Sequence, residues 1–168
     1  MHAVYKNGLC YTNSNMDTRQ KLFEYLKSQN LMSLATTGDS ISNCVVYVAV
    51  DKDFNLYFIS EPNSEHCKNI ALHNGVACAI ADSRQPVRAK KIGAQIKGTA
   101  HEVTGVGQLE AIITMWNATN PGMESIISIN NFRNKILKSQ AYKIVPTEIK
   151  FFNEELYGEE GFEIFPFK

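Results

Sequence analysis

Apolar positions along the chain fall into short runs with either a period of two or a helical period, separated by polar breaks. Residues 1–15 show neither period and are rich in Asn, Ser and Tyr, the composition of an extended N-terminal arm or a disordered end. Asp17-Thr18-Arg19-Gln20 has the form of a capping box, an acid with Gln three positions on. Leu22, Phe23, Tyr25 and Leu26 then make a helical stripe that ends near Gln29. Leu31–Thr37 predicts a strand, Gly38-Asp39 a turn, and Ser42–Val50 a second strand. Its run Cys44–Val50 is nearly continuous and rich in β-branched residues, so both faces are expected to be covered. Asp51-Lys52-Asp53 turns it back into Asn55–Ser60 as a hairpin.

A Pro-containing turn follows, and Ser64 opens a helix over 64–73 with Cys67, Ile70 and Ala71 expected inward. Gly75 fits its C-cap region. Val76–Ala81 predicts a strand, Asp82–Ala89 a polar loop, and Lys91–Thr104 a long strand. Gly93 and Gly98 within that strand predict bulges or close backbone approach. Gly105 leads into a helix with Val106, Leu109, Ile113 and Trp116 on one face and Ile112 beside them, stopped by Asn120-Pro121-Gly122. Residues 123–137 are weakly helical, Tyr142–Phe152 predicts a last strand bent at Pro146, and the C-terminal tail 153–168 is acidic and then aromatic. About six strands in hairpin order, without βαβ alternation or internal repeat, predict an α+β fold. Its antiparallel sheet is expected to close into a barrel, because long bulged strands need curvature and protected edges.

At 168 residues a single domain spanning 1–168 is the expectation. Lys+Arg and Asp+Glu both total 17, a balance that argues against nucleic acid as a partner. No apolar run reaches the roughly 20 residues that span a bilayer, so no membrane partner is expected. The N-terminus lacks a signal-peptide pattern. Cys10, Cys44, Cys67 and Cys78 form no CxxC pair and are expected to be small buried hydrophobes, free thiols suited to the cytoplasm.

A strand that ends in Ser60, followed by a helix N-terminus at Ser64, is a ready anion site, since unpaired N–H groups and the helix dipole converge there. As a plain structural alternative, Ser64 is a helix cap, His66 a surface residue, and Lys90-Lys91 a solvated strand start. His2, His73 and His101 have no metal-ligand spacing, so no metal is expected. Trp116 suits a core or an interface between copies, with ring stacking as the alternative. No Ser/His/Asp order or nucleophile elbow occurs, and Glu154-Glu155 and Glu159-Glu160 are expected to be solvated. Catalytic residues are therefore left unassigned.

In this order, Leu34-Ala35-Thr36, Val45–Val50, Leu56–Ser60, Ser64–Ile70 and Lys97-Gly98-Thr99-Ala100 resemble segments of the pyridoxamine 5'-phosphate oxidase-like FMN-binding split barrel superfamily. The resemblance covers roughly residues 18–104 and more loosely 142–152. Gln95-x-Lys97-Gly98 and Glu148-Ile149-Lys150-Phe151 resemble a small uncharacterised branch. It implies a six-stranded antiparallel split β-barrel with flanking helices, and a homodimer with FMN at the subunit interface. Backbone groups from Asn43 to Val46, Val45 among them, would lie against the flavin ring. Ser60, Glu61, Ser64, Glu65, His66 and Lys68 would hold ribityl hydroxyls and phosphate, and Lys91 and Gln95 would reach the ring or phosphate. Relatives often place an Arg-Lys pair after the capping Ser, where this chain has Glu65-His66, with Lys68, Lys90 and Lys91 as substitute cations. An FMN-dependent oxidoreductase acting on a small substrate or a nicotinamide follows. The alternatives are a non-catalytic flavin-binding or stress-associated protein, and a haem- or deazaflavin-binding relative. Pyridoxamine-phosphate oxidase activity itself is disfavoured, because the chain lacks the family's Arg-x-His near its end.

Overall fold

The structure is a computed structural model that describes residues 3–6, 9–12 and 16–167, with side chains from residue 18 onward except that of Val106. Two strands come first, β1 (Ala3–Lys6) and β2 (Leu9–Thr12), followed by α1 (Met16–Ser28). Then come β3 (Leu31–Thr37), β4 (Ile41–Val50), β5 (Leu56–Ser60), α2 (Glu65–Leu72), β6 (Gly75–Ile80) and β7 (Ile92–Glu102). Next are α3 (Val106–Thr119), α4 (Ile129–Arg133), β8 (Gln140–Asn153), α5 (Glu154–Tyr157) and β9 (Phe162–Pro166).

The strand order β8-β5-β4-β3-β6-β7 closes on itself through a β7–β8 pairing, all neighbours antiparallel. The result is a six-stranded antiparallel barrel with flanking helices, an α+β split barrel as expected. Phe58, Phe151, Leu22, Leu26, Met32, Ile96 and Ile144 fill its interior at 0–1% exposure. Each such side chain stabilises the fold by roughly 1.5–3 kcal/mol. Gly98 makes the closure possible. A Cβ there would lie 2.4 Å from the Val145 carbonyl oxygen, and the β7–β8 register shifts between Lys97 and Gly98, opposite Pro146. Gly93 likewise lies under the Phe152 ring.

Several elements differ from the sequence-based expectation. β9, not foreseen in the tail, pairs with β8 and with β1, and β1 pairs with β2. The rest of the expected arm, residues 1, 2, 7, 8 and 13–15, lies outside the described residues. α1 begins at Met16, one residue before the expected cap. Ala71 is exposed, and Asn69 is buried in its place, donating from Nδ2 to Thr36 Oγ1 at 3.2 Å. Gly38 leaves the room this amide needs, since a Cβ there would meet Asn69 Oδ1 at 2.1 Å. Gly75 is the first residue of β6, and the C-cap is His73.

The largest correction concerns β4. Within the chain its outer face is bare: Ile41 is 82% exposed, Val45 65% and Tyr47 54%. Only Val48, Ala49 and Val50 are buried, where β5 runs alongside.

Candidate functional site

The site begins where β5 leaves the barrel. β5 pairs with β4 only at Val48–Val50, whereas β3 pairs with it from Ile41 to Tyr47. Among the described residues, the Ile41–Val46 stretch of β4 therefore has a strand neighbour on one side only. The chain passes from Ser60 through a turn closed by Ser64 N–H to the Glu61 carbonyl at 3.0 Å, and enters α2.

Ser64 has the extended backbone of an N-cap, φ −63° and ψ 152°, yet its hydroxyl caps nothing. It lies 3.1 Å from His66 Nε2, and Ser60 Oγ lies 2.7 Å from the same nitrogen. Two hydroxyls thus converge on one imidazole while, among the described residues, no side chain closes the first turn of α2. N–H groups of that turn normally find such a partner. Glu65, exposed, supplies the turn's only acidic side chain. The cradle is rich in donors and poor in fixed positive charge.

The remaining sequence-derived residues divide into separate places. Asn43 and Val45 lie exposed on the outer face of β4, while Val46 turns inward against the core. Ser33 Oγ donates to Asn43 Oδ1 at 2.9 Å. Gln95 opens on the same outer face, in a shallow depression of about 400 Å³ with Asn43, Ser33, Ala35 and Ala79. Glu61 and Lys68 are exposed beside the cradle. Lys91 is not brought to it. Ser60 pairs with Gln140 at the start of β8, and Lys91 precedes Ile92, which pairs with Asn153 at its end. The two are separated on the order of 40 Å along the strand. There the Lys91 N–H donates to Glu154 Oε2 at 2.9 Å, so Glu154 is a structural acceptor whose pKa this bond lowers. Trp116 is buried on α3 and donates from Nε1 to the Tyr47 carbonyl at 3.3 Å, a packing role over β4.

Two residues missed in the sequence complete the cluster. Cys67, 3% exposed, and Tyr142, 4% exposed, adjoin His66 and Ser64. Tyr142 stacks on Phe58 at 5.0 Å and 12°, and Phe58 lies 6.2 Å from the His66 ring. Burial raises the Tyr142 pKa, and its bond with Cys67 raises it further, so the phenol keeps its proton. The available signal for Cys67 was its place in the first turn of a helix, next to His66. Tyr142 had none, since it reaches α2 only through the β5–β8 pairing.

No family model matches the chain, and neither does any curated protein. Solved structures do resemble it. A conserved hypothetical protein from Mycobacterium tuberculosis aligns with a TM-score of 0.70 at 15% identity, over 88% of this chain and 94% of that one. A NimC/NimA family protein from Clostridium acetobutylicum gives 0.59 at 16%, over 86% and 90%. HutZ, the haem storage protein from Vibrio cholerae, gives 0.61 at 11%, over 76% and 88%. At such identities the likeness establishes the architecture of this chain, an α+β split barrel.

Proposed function

We propose that the chain is an FMN-binding flavoprotein, an oxidoreductase acting on a small substrate or a nicotinamide, with the flavin held between two copies. The observation that carries this reading is the juxtaposition at the end of β5. An open stretch of β4 backbone lies beside a helix start whose capping hydroxyl is turned toward His66. The donor set fits a phosphate: two hydroxyls, an imidazole and the N–H groups of an uncapped helical turn. Backbone groups of Asn43 to Val46 would orient the flavin ring, and their N–H donors would steady negative charge on it. Bound FMN would supply the redox chemistry. A second copy would cover Ile41, Val45 and Tyr47, an apolar face of the kind that marks interfaces.

HutZ brings haem as the rival occupant, and a non-catalytic flavin carrier is the rival role. The purified chain is incubated with FMN, desalted, weighed by light scattering and scanned for absorbance. Retained flavin bands on a dimer support the reading; a Soret band, or no retained chromophore, sinks it. Bleaching by a nicotinamide separates enzyme from carrier. Combined Ser64→Ala and His66→Ala should weaken FMN about tenfold or more, the loss of one to two hydrogen bonds to a charged group; unchanged affinity would place the phosphate elsewhere.

A further inference from the structure

A cavity of about 250 Å³ lies on the outer side of the barrel, between α3 and the strands β5 and β8. Its helical wall is Gln108, Ala111, Ile112 and Met115, an i, i+3, i+4, i+7 set on one face of α3. Ile112 packs with Tyr57 and Val103 in a small apolar core, and all three are 6–8% exposed. Ala111 is short and exposed, which leaves the mouth open. The volume falls below the roughly 300–1,000 Å³ of drug-sized sites, so a single ring is the scale of what fits. Tyr57 of β5 and Lys143 of β8 are directly opposite in register, so their side chains leave the sheet on the same face, and both line the cavity.

Two opposite charges border this cavity, and only one is engaged. The Asp51 carboxylate accepts from the N–H groups of Asp53 and Asn55 at 2.9 Å, from Asn55 Nδ2 at 2.9 Å and from the Tyr57 hydroxyl at 2.8 Å. It is the acceptor that closes its own turn. Lys143 is half-buried and has no ion-pair partner among the described residues. Tyr57 stays neutral beside it, since burial raises its pKa and the bond to Asp51 raises it further. We propose that this cavity binds a small apolar carboxylate, its ring or chain against Tyr57, Val103, Ile112 and Met115 and its carboxylate on the Lys143 ammonium. Gln108 at the mouth offers an amide donor to the same head group. Such a ligand answers the apolar wall and the unpaired positive charge together. A cationic ligand would meet Lys143, and a neutral one would leave that charge half-buried and unpaired. Neither the fold nor the flavin reading calls for a lysine at this position.

The test titrates the full chain with benzoate, benzyl alcohol and benzylamine, three probes of one size and different charge, and follows methyl and amide NMR shifts. Benzoate should shift the methyl signals of Val103, Ile112 and Met115. It should bind at least about tenfold more tightly than the other two, the gain of one charge-assisted bond. Lys143→Met should remove that preference and leave benzyl alcohol binding unchanged, whereas Lys143→Arg should keep the preference. Ala111→Trp, at the exposed mouth, should weaken benzoate by a similar factor. Equal affinities for the three probes, shifts confined to other residues, or an unchanged preference in Lys143→Met would overturn the proposal. Unchanged benzoate binding in Ala111→Trp would overturn the cavity as its place. The titration is run without FMN, and the cavity shares no residue with the Ser60–Ser64–His66 cradle, so its failure and that of the flavin reading are separate results.

Discussion

The two ends of β8 show opposite uses of polar side chains. At the Asn153 end polar groups close structural contacts: Asn153 Oδ1 accepts from the N–H groups of Glu155 and Leu156, Glu154 accepts from Lys91, and Tyr157 donates to Glu163 at 2.8 Å. At the Gln140 end, Ser60, Ser64, His66, Cys67 and Tyr142 converge on one another while the helix beside them goes uncapped. Capping Ser, Thr, Asn or Asp residues are worth about 1 kcal/mol each. Asn153 supplies a cap of this kind and Ser64 does not. The difference teaches where the fold gives up local stability, and that is where function is sought.

The comparison breaks most severely at the bend between the ends. Gly98→Val would drive a side chain into the Val145 carbonyl, and overpacking of this kind costs about 3 kcal/mol. Denaturant midpoints should fall strongly, and FMN retention should fall with them because both ends depend on the closure. Tyr157→Phe should act on one end only. It leaves buried Glu163, whose Oε1 already lacks a partner among the described residues, without the Tyr157 donor. The expected loss is about 1–3 kcal/mol in thermal or chemical unfolding. FMN affinity should stay unchanged, and a drop would show that the ends are coupled.

The smallest effect belongs to Glu154. Its bond from the Lys91 N–H holds its pKa below 4.5, so its contribution is present above that pH and is lost as pH falls through the lowered folded value. Glu154→Gln should therefore flatten the acid limb of stability below pH 4.5 and leave the Gln140 end untouched. An unchanged acid limb would show that this carboxylate contributes nothing measurable.

The barrel strands were legible because β3 to β8 carry long runs of one period, and Gly98 announced the close approach it makes. β9 was hidden by its own alternation: Glu163 and Phe165 point inward while Phe162 and Ile164 are only half-buried, so the pattern reads as a mixed tail. The bare face of β4 was misread because a continuous apolar run implies a cover without saying which molecule provides it. Ser60, Ser64 and His66 could be grouped from sequence since only six positions separate the first from the last. Within one chain Lys91 lies far from them, because β8 puts its partner strand's start at the far end. Cys67 and Tyr142 meet across 75 positions, a distance that no local pattern records.

The closure of the barrel by β8 on both β5 and β7 also sets the order of events during synthesis. Until residues 140–153 leave the ribosome, β5 and β7 are two unpaired margins of a half-built sheet, each a template for the wrong strand. Chaperone demand should therefore peak late in translation and collapse once this single strand has emerged.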